Sequence, residues 1–148
     1  MSIFQAFNIN ASGMTAERFR TDIISENIAN VNTTSTEDGT PYTRKVVTFQ
    51  EKGASADFRE VLRRNTNDFI GNGVKVTSVQ DDTETAYKME YDPSNPDADE
   101  NGYVTYPNVN IVTEMTNLID ASRAYEANAT AFEASKSMAQ RGLSIGTS

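Results

Sequence analysis

The segment DADENG, residues 97–102, is the stretch whose residue types and spacing come nearest to a metal-binding loop. Asp97, Asp99 and Asn101 fall at alternate positions and Gly102 is sixth, where a calcium loop turns sharply. The twelfth position, which needs a bidentate carboxylate, is Asn108. The segment therefore reads as a polar hairpin turn stiffened by Pro93 and Pro96. Tight calcium binding is not expected, and neither is any cofactor.

Catalytic groups are equally sparse. The chain has no histidine and no cysteine, and no serine sits in GxSxG or SxxK, so the usual nucleophile and proton-transfer partners are missing. Carboxylates are numerous, which leaves a paired-carboxylate hydrolase as a rival, but no pair stands out. Gly71-Asn72-Gly73 is followed by no helix with a lysine in frame and reads as a turn before a strand. The Asn-x-Ser/Thr triplets at Asn10, Asn32 and Asn128 read as chance matches, the first and last of them inside helical pattern. No enzyme activity and no small-molecule substrate are expected.

The elements that would carry these residues are few. From Ile3 to Val31 apolar residues recur at helical spacing: Phe4, Phe7, Ala11 and Met14, then Ala16, Phe19 and Ile23, then Ile24, Ile28 and Val31. Gly13 is the weak point of this helix, costing about 1 kcal/mol relative to alanine. SENIANVNTT (25–34) closes it, with Asn30 or Asn32 as C-cap. Capping leaves Asn27 unexplained. The middle reads as short strands at PYTRKVVTF (41–49), VKVTSV (74–79), AYKMEY (86–91) and YVTY (103–106), with a short helix around Phe58, Val61 and Leu62.

From Asn108 to about Leu143 the helical period returns. Ile111, Met115, Leu118, Ser122, Tyr125, Ala129 and Phe132 form a heptad seam. Beside it runs a stripe of mostly small residues: Ala121, Ala124, Asn128, Ala131, Ser135, Met138, Gly142 and Ile145. A surface helix on a monomer needs one packed face; two faces point to neighbours, although an ordinary core helix with an alanine-rich exposed side has the same spacing.

At 148 residues the length asks for no more than one ordinary domain. Mean hydropathy is −0.55, polar for a self-contained globule. The net charge of −8 gives no support for nucleic acid or an anionic membrane as partner. Charge is uneven: residues 41–75 hold Arg44, Lys45, Lys52, Arg59, Arg63, Arg64 and Lys75, whereas residues 81–100 are strongly acidic. That polarity either orients subunits in an assembly or marks two solvated faces. No window approaches a membrane span, and the start, MSIFQAFNINASGM, has neither a basic n-region nor a continuous apolar run. A cytosolic protein, or one exported without a cleaved leader, is expected.

ASGMTAERFRTDIISENIANVNTT at one end and PNVNIVTEMTNLIDASRAYEANATAFEASKSMAQRGLSIG at the other resemble the signatures of the bacterial flagellar rod and hook axial family. DGTPYTRKVVTF and YDPSNPDADENGYVTYPNVN resemble its proximal-rod branch, and residues 53–70 match least. The resemblance implies an α+β fold in which long N- and C-terminal helices, residues 1–32 and 108–148, pair as a coiled coil around a β-rich insert, 33–107. It implies a structural subunit that polymerises into a tube outside the cytoplasmic membrane. The partners it implies are copies of the chain, other proximal and distal rod subunits, the rod adaptor and membrane ring below, and the type III export apparatus in transit.

In such a tube Phe4, Phe7, Met14, Phe19, Ile28, Ile111, Met115, Leu118, Tyr125 and Phe132 are expected at assembly interfaces. Ala124, Ala131 and Gly142 would allow close backbone approach, and Asn27 and Asn128 would fix register as buried polar residues. The rivals are another rod or hook-type subunit and a soluble helical-hairpin binding module, which would be a stable monomer.

Overall fold

A computed structural model describes residues 3–52 and 71–146. The expected short helix at Phe58, Val61 and Leu62 lies outside the described residues. Helix α1 runs Ile3–Ala29; strands β1 (Lys45–Glu51), β2 (Val74–Asp81), β3 (Lys88–Tyr91) and β4 (Tyr103–Tyr106) follow; helix α2 runs Ile111–Gly146. The fold is α+β. The strands form two separate two-stranded sheets, β1 with β2 and β3 with β4.

Each helix end has a local cause. α1 stops where Asn30 folds its side chain back, its Nδ2 donating to the Glu26 carbonyl at 3.0 Å, while its own carbonyl accepts from Thr33 N–H at 3.0 Å. Asn30 N–H makes the last helical bond to that same Glu26 carbonyl at 3.1 Å, so the side chain adds a second donor there, and the Thr33 turn satisfies the Asn30 carbonyl that the helix would leave open. α2 begins at an asparagine cap: Asn110 Oδ1 accepts from Val112 N–H at 3.0 Å and Thr113 N–H at 3.2 Å, two donors a helix N-terminus would leave unpaired.

β1 starts at Lys45, later than the alternation from Pro41 implies. The backbone before it is used elsewhere: Tyr42 N–H donates to the Thr33 carbonyl at 3.1 Å and Arg44 N–H to Asn108 Oδ1 at 2.8 Å. β3 and β4 are antiparallel, with Lys88 opposite Tyr106 and Tyr91 opposite Tyr103. Gly102 closes their connection at φ +81°. A Cβ there would stand 2.9 Å from the Tyr91 ring, so the position needs glycine for backbone and for space.

The described residues divide into two units. One holds those up to Phe19, from Thr48 to Ser78 and from Ala121 onward; the other holds Arg20–Val47 and Val79–Asp120. Among the described residues, the buried apolar ones include Ala16 and Ala121 in the first unit and Ile24, Tyr42, Val104 and Pro107 in the second. In the second, the buried polar residues Asn27, Asn108 and Glu114 fill out the interior.

Candidate functional site

The second unit is organised around Asn27, the asparagine that capping leaves unexplained. Its side chain is 1% exposed and makes four hydrogen bonds. Oδ1 accepts from the Tyr42 hydroxyl and from Lys45 N–H, both at 2.9 Å. Nδ2 donates to the Lys45 carbonyl at 2.9 Å and to Glu114 Oε2 at 3.0 Å. The amide thus engages both backbone groups of Lys45, as a neighbouring strand residue would. Every bonding site on the amide is used, which is what makes a buried asparagine tolerable.

Glu114 is the most deeply buried charge among the described residues. It is 0% exposed as a residue, lies in the first turn of α2, where the helix dipole favours an anion, and meets Arg44. Arg44 Nε donates to Glu114 Oε1 at 2.9 Å and Nη2 approaches the same oxygen at 2.8 Å. Arg44 Nη1 also reaches Asp82 Oδ2 at 3.2 Å. Burial works against the Arg44 charge, but Glu114 and then Asp82 more than offset it, so the guanidinium holds its proton more tightly than usual. Asp82 is held below the usual carboxylate range, first by the Thr85 hydroxyl and backbone N–H, against a smaller opposing effect of burial, with further help from Arg44 and Glu84 N–H. Burial, together with the charges of Glu26, Asp81 and Glu114, pushes Tyr42 up to about 12.

Asn108 completes the arrangement, its Nδ2 donating to the carbonyls of Asp82 at 2.7 Å and Thr85 at 3.1 Å. One set of side chains thereby ties the end of α1, the entry to β1, the exit of β2 and the start of α2. It is a latch with no reactive centre, since its carboxylates are committed to arginine, amide and hydroxyl donors.

The first unit is joined by small residues. Ser12 Oγ donates to the Ile9 carbonyl at 2.7 Å and accepts from Val74 N–H at 3.0 Å. Gly73, at φ +89°, is where a Cβ would strike that hydroxyl. Gly13 forms a notch for Asn128: a Cβ on Gly13 would lie 2.7 Å from Asn128 Oδ1, while Asn128 Nδ2 donates to the Ala124 carbonyl at 2.8 Å. The glycine that weakens α1 as a helix lets α2 come close. The Phe7 and Phe132 rings meet at 5.0 Å between centroids, and Phe4 lies 6.5 Å from Phe7.

Family models match at both ends of the chain: the flagella basal body rod protein model over residues 7–35, and the flagellar basal body rod FlgEFG protein C-terminal model over residues 100–145. A flagellar basal-body rod protein FlgC from Borreliella burgdorferi is 43% identical over 98% of both chains. The proteins of that name from Bacillus subtilis and Salmonella typhimurium are 41% and 36% identical, each over 99% of both chains. This chain belongs to the FlgC family of flagellar basal-body rod proteins. It is a structural subunit of the rod, not an enzyme.

Of the FlgC-family chain's expected interface residues, Phe7 and Phe132 meet, and Met14, Ile28 and Leu118 are half-buried. Phe4, Phe19, Ile111, Met115 and Tyr125 stay exposed. Ala124 is half-buried and Ala131 exposed, and a Cβ on Gly142 would meet nothing within 4 Å. The fully buried small residue of that stripe is Ala121. Asn128 rests against Gly13, and Asn27 bonds β1 as well as α2. Asp97 and Asp99 are engaged locally: Asp97 Oδ2 accepts from the Thr34 hydroxyl at 2.6 Å and Asp99 Oδ1 from the N–H groups of Asn101 and Tyr103 at 2.8 Å. Asn101 is exposed in that turn. No cluster of three metal-ligating side chains occurs among the described residues.

Sequence reasoning missed Ser12, Tyr42, Arg44, Asp82, Asn108 and Glu114. Glu114 had a signal, an acid in the first turn beside the apolar seam. Arg44 had a weaker one, a charge at the head of an apolar β-branched run.

Proposed function

We propose that the chain builds the proximal rod by polymerising through its terminal helices, residues 1–32 and 108–148, paired as a coiled coil, with residues 33–107 as the insert. The product is a helical tube that encloses the export channel and transmits torque. Carrying this reading is the apolar surface left uncovered on α2: Val112, Met138, Leu143 and Ile145 are 75%, 64%, 72% and 77% exposed, with Ile111, Met115, Ile119 and Tyr125 beside them. A lone chain gains nothing from such a surface, whereas a subunit packed on several sides buries it.

In this reading the subunit leaves the cytoplasm unfolded through the type III export apparatus, with an N-terminal signal that is not cleaved. It assembles outside the cytoplasmic membrane with copies of itself and with other proximal and distal rod subunits, above the adaptor and membrane ring. Phe4, Phe19, Met115 and Tyr125 then meet neighbours, Ala131 and Gly142 admit neighbouring backbones, and Asn27 and Asn128 hold register. The test is amide hydrogen exchange on the purified chain and on assembled rods. The distal part of α2 should exchange fast in the isolated chain and slowly in the rod. Equal protection in both would overturn the reading and favour a self-sufficient binding module.

A further inference from the structure

Two surfaces remain outside the latch, and they complement each other. In the first unit a groove of about 670 Å³ runs along α1 and the start of β2. Its floor includes Ala11, Phe19 and Val74, and Lys52 and Lys75, both exposed, stand at its rim. The second unit carries the β3–β4 hairpin, whose two faces differ. Val104 points inward at 0% exposure; on the opposite face Met89, Tyr91 and Tyr103 are 62%, 63% and 43% exposed. The Tyr91 and Tyr103 rings brace each other edge to face at 5.3 Å, and Gly102 gives Tyr91 room. The turn beyond them holds Asp92, Asp97, Asp99 and Glu100 with no basic residue.

We propose that the β3–β4 hairpin of one copy seats its Met89–Tyr91–Tyr103 face in the α1–β2 groove of a second copy, with its acidic turn against Lys52 and Lys75. The inference rests on the rod-subunit reading and adds the surfaces that meet. Charge selects the occupant. Copies with a net charge of −8 repel one another, so a contact between them needs a local match of opposite sign. This groove rim and this hairpin supply one, with apolar surface inside it on both sides. Because the two surfaces differ, the contact is heterologous and leaves a free groove at one end and a free hairpin at the other, the geometry that extends an assembly.

The chain has no native cysteine, which makes the test direct. Tyr91→Cys and Lys75→Cys chains are co-expressed as the only copies in flagellated cells, and basal bodies are isolated under mild oxidation. A disulfide-linked dimer is expected from the mixed cells and from neither variant alone. In a second arm, the Lys52→Glu/Lys75→Glu chain should lose incorporation, and adding Asp92→Lys/Glu100→Lys should restore it. Both variants present in rods without a mixed dimer, or charge reversal without effect, would overturn the inference and leave the rod reading standing. Absence of even the unmodified chain from isolated rods would overturn both.

Discussion

At the residue scale, Asn27 shows how a single side chain decides several contacts. Aspartate has nearly its shape but no N–H donor, so Asn27→Asp would turn a carboxylate toward the Lys45 carbonyl and the Glu114 carboxylate. We expect a loss of about 3 kcal/mol or more, the order found for an uncompensated buried charge. Asn27→Ala should cost less. Urea unfolding of the two variants checks the order, and equal losses would mean that only packing matters at this site. Gly13 supports a second expectation. Alanine improves helix propensity by about 1 kcal/mol, yet its Cβ would lie 2.7 Å from Asn128 Oδ1. Gly13→Ala should therefore destabilise the native chain and stabilise the Asn128→Ala chain, a sign change that a double-mutant cycle reads directly.

Tyr42 makes the alkaline limit specific. Its folded-state value of about 12 lies above the ordinary 10.0, so folding favours the protonated phenol. That contribution is complete below about pH 10 and is lost as pH rises through the folded value. Alkaline titration followed by tyrosinate absorbance should show one tyrosine ionising with unfolding near pH 12, and Tyr42→Phe should remove that step. A Tyr42→Phe chain that still shows the step would assign it to another tyrosine.

At the scale of elements, the two helices and four strands of the described residues were legible because periodicity is local. Period 3.6 marks α1 and α2, alternation marks the strands, and Asn30 punctuates the end of α1; the Asn110 cap of α2 is visible only in the structure. What sequence could not show is how the ends are tied. Arg44 and Glu114 are 70 positions apart, and nothing in the alternation that follows tells a half-buried, paired arginine from a solvated one until the partner is in place. Asn27 stands out in the sequence as an anomaly, but its meaning depends on Lys45 and Tyr42, which reach it by tertiary folding. The seam residues were legible as apolar; which are covered within one chain was not, because a helix awaiting neighbours and a helix packed in its own core share a period.

The Arg44–Glu114 pair predicts how these elements fail. Removing one partner strands a buried charge, so Arg44→Met should cost about 3–5 kcal/mol, whereas Arg44→Met/Glu114→Gln should recover much of that loss because no uncompensated ion remains. Chemical denaturation of the three variants measures it, and a double variant no better than the single would show that the carboxylate was not the source of the cost.

At the scale of the whole molecule, stability and assembly separate along α2. Near its start the helix is tied by Glu114 to the rest of its unit; toward its end Leu143 and Ile145 are 72% and 77% exposed. Both residues lie in the last turn of α2, where an added carboxylate opposes the helix dipole at a cost of about 0.3–1 kcal/mol. Leu143→Asp and Ile145→Asp should therefore lower the unfolding midpoint of the isolated chain only slightly. In a rod the same carboxylates would be buried against a neighbour with no partner, so they should abolish incorporation and motility. Glu114→Ala should do the reverse in order: it lowers the stability of the chain first, and incorporation falls only as far as folded subunit is lacking. Measuring the unfolding midpoint and rod incorporation for both classes separates them. Normal rods built from Leu143→Asp chains would show that the distal end of α2 meets no neighbour, and the assembly surface would then have to lie elsewhere on the helix.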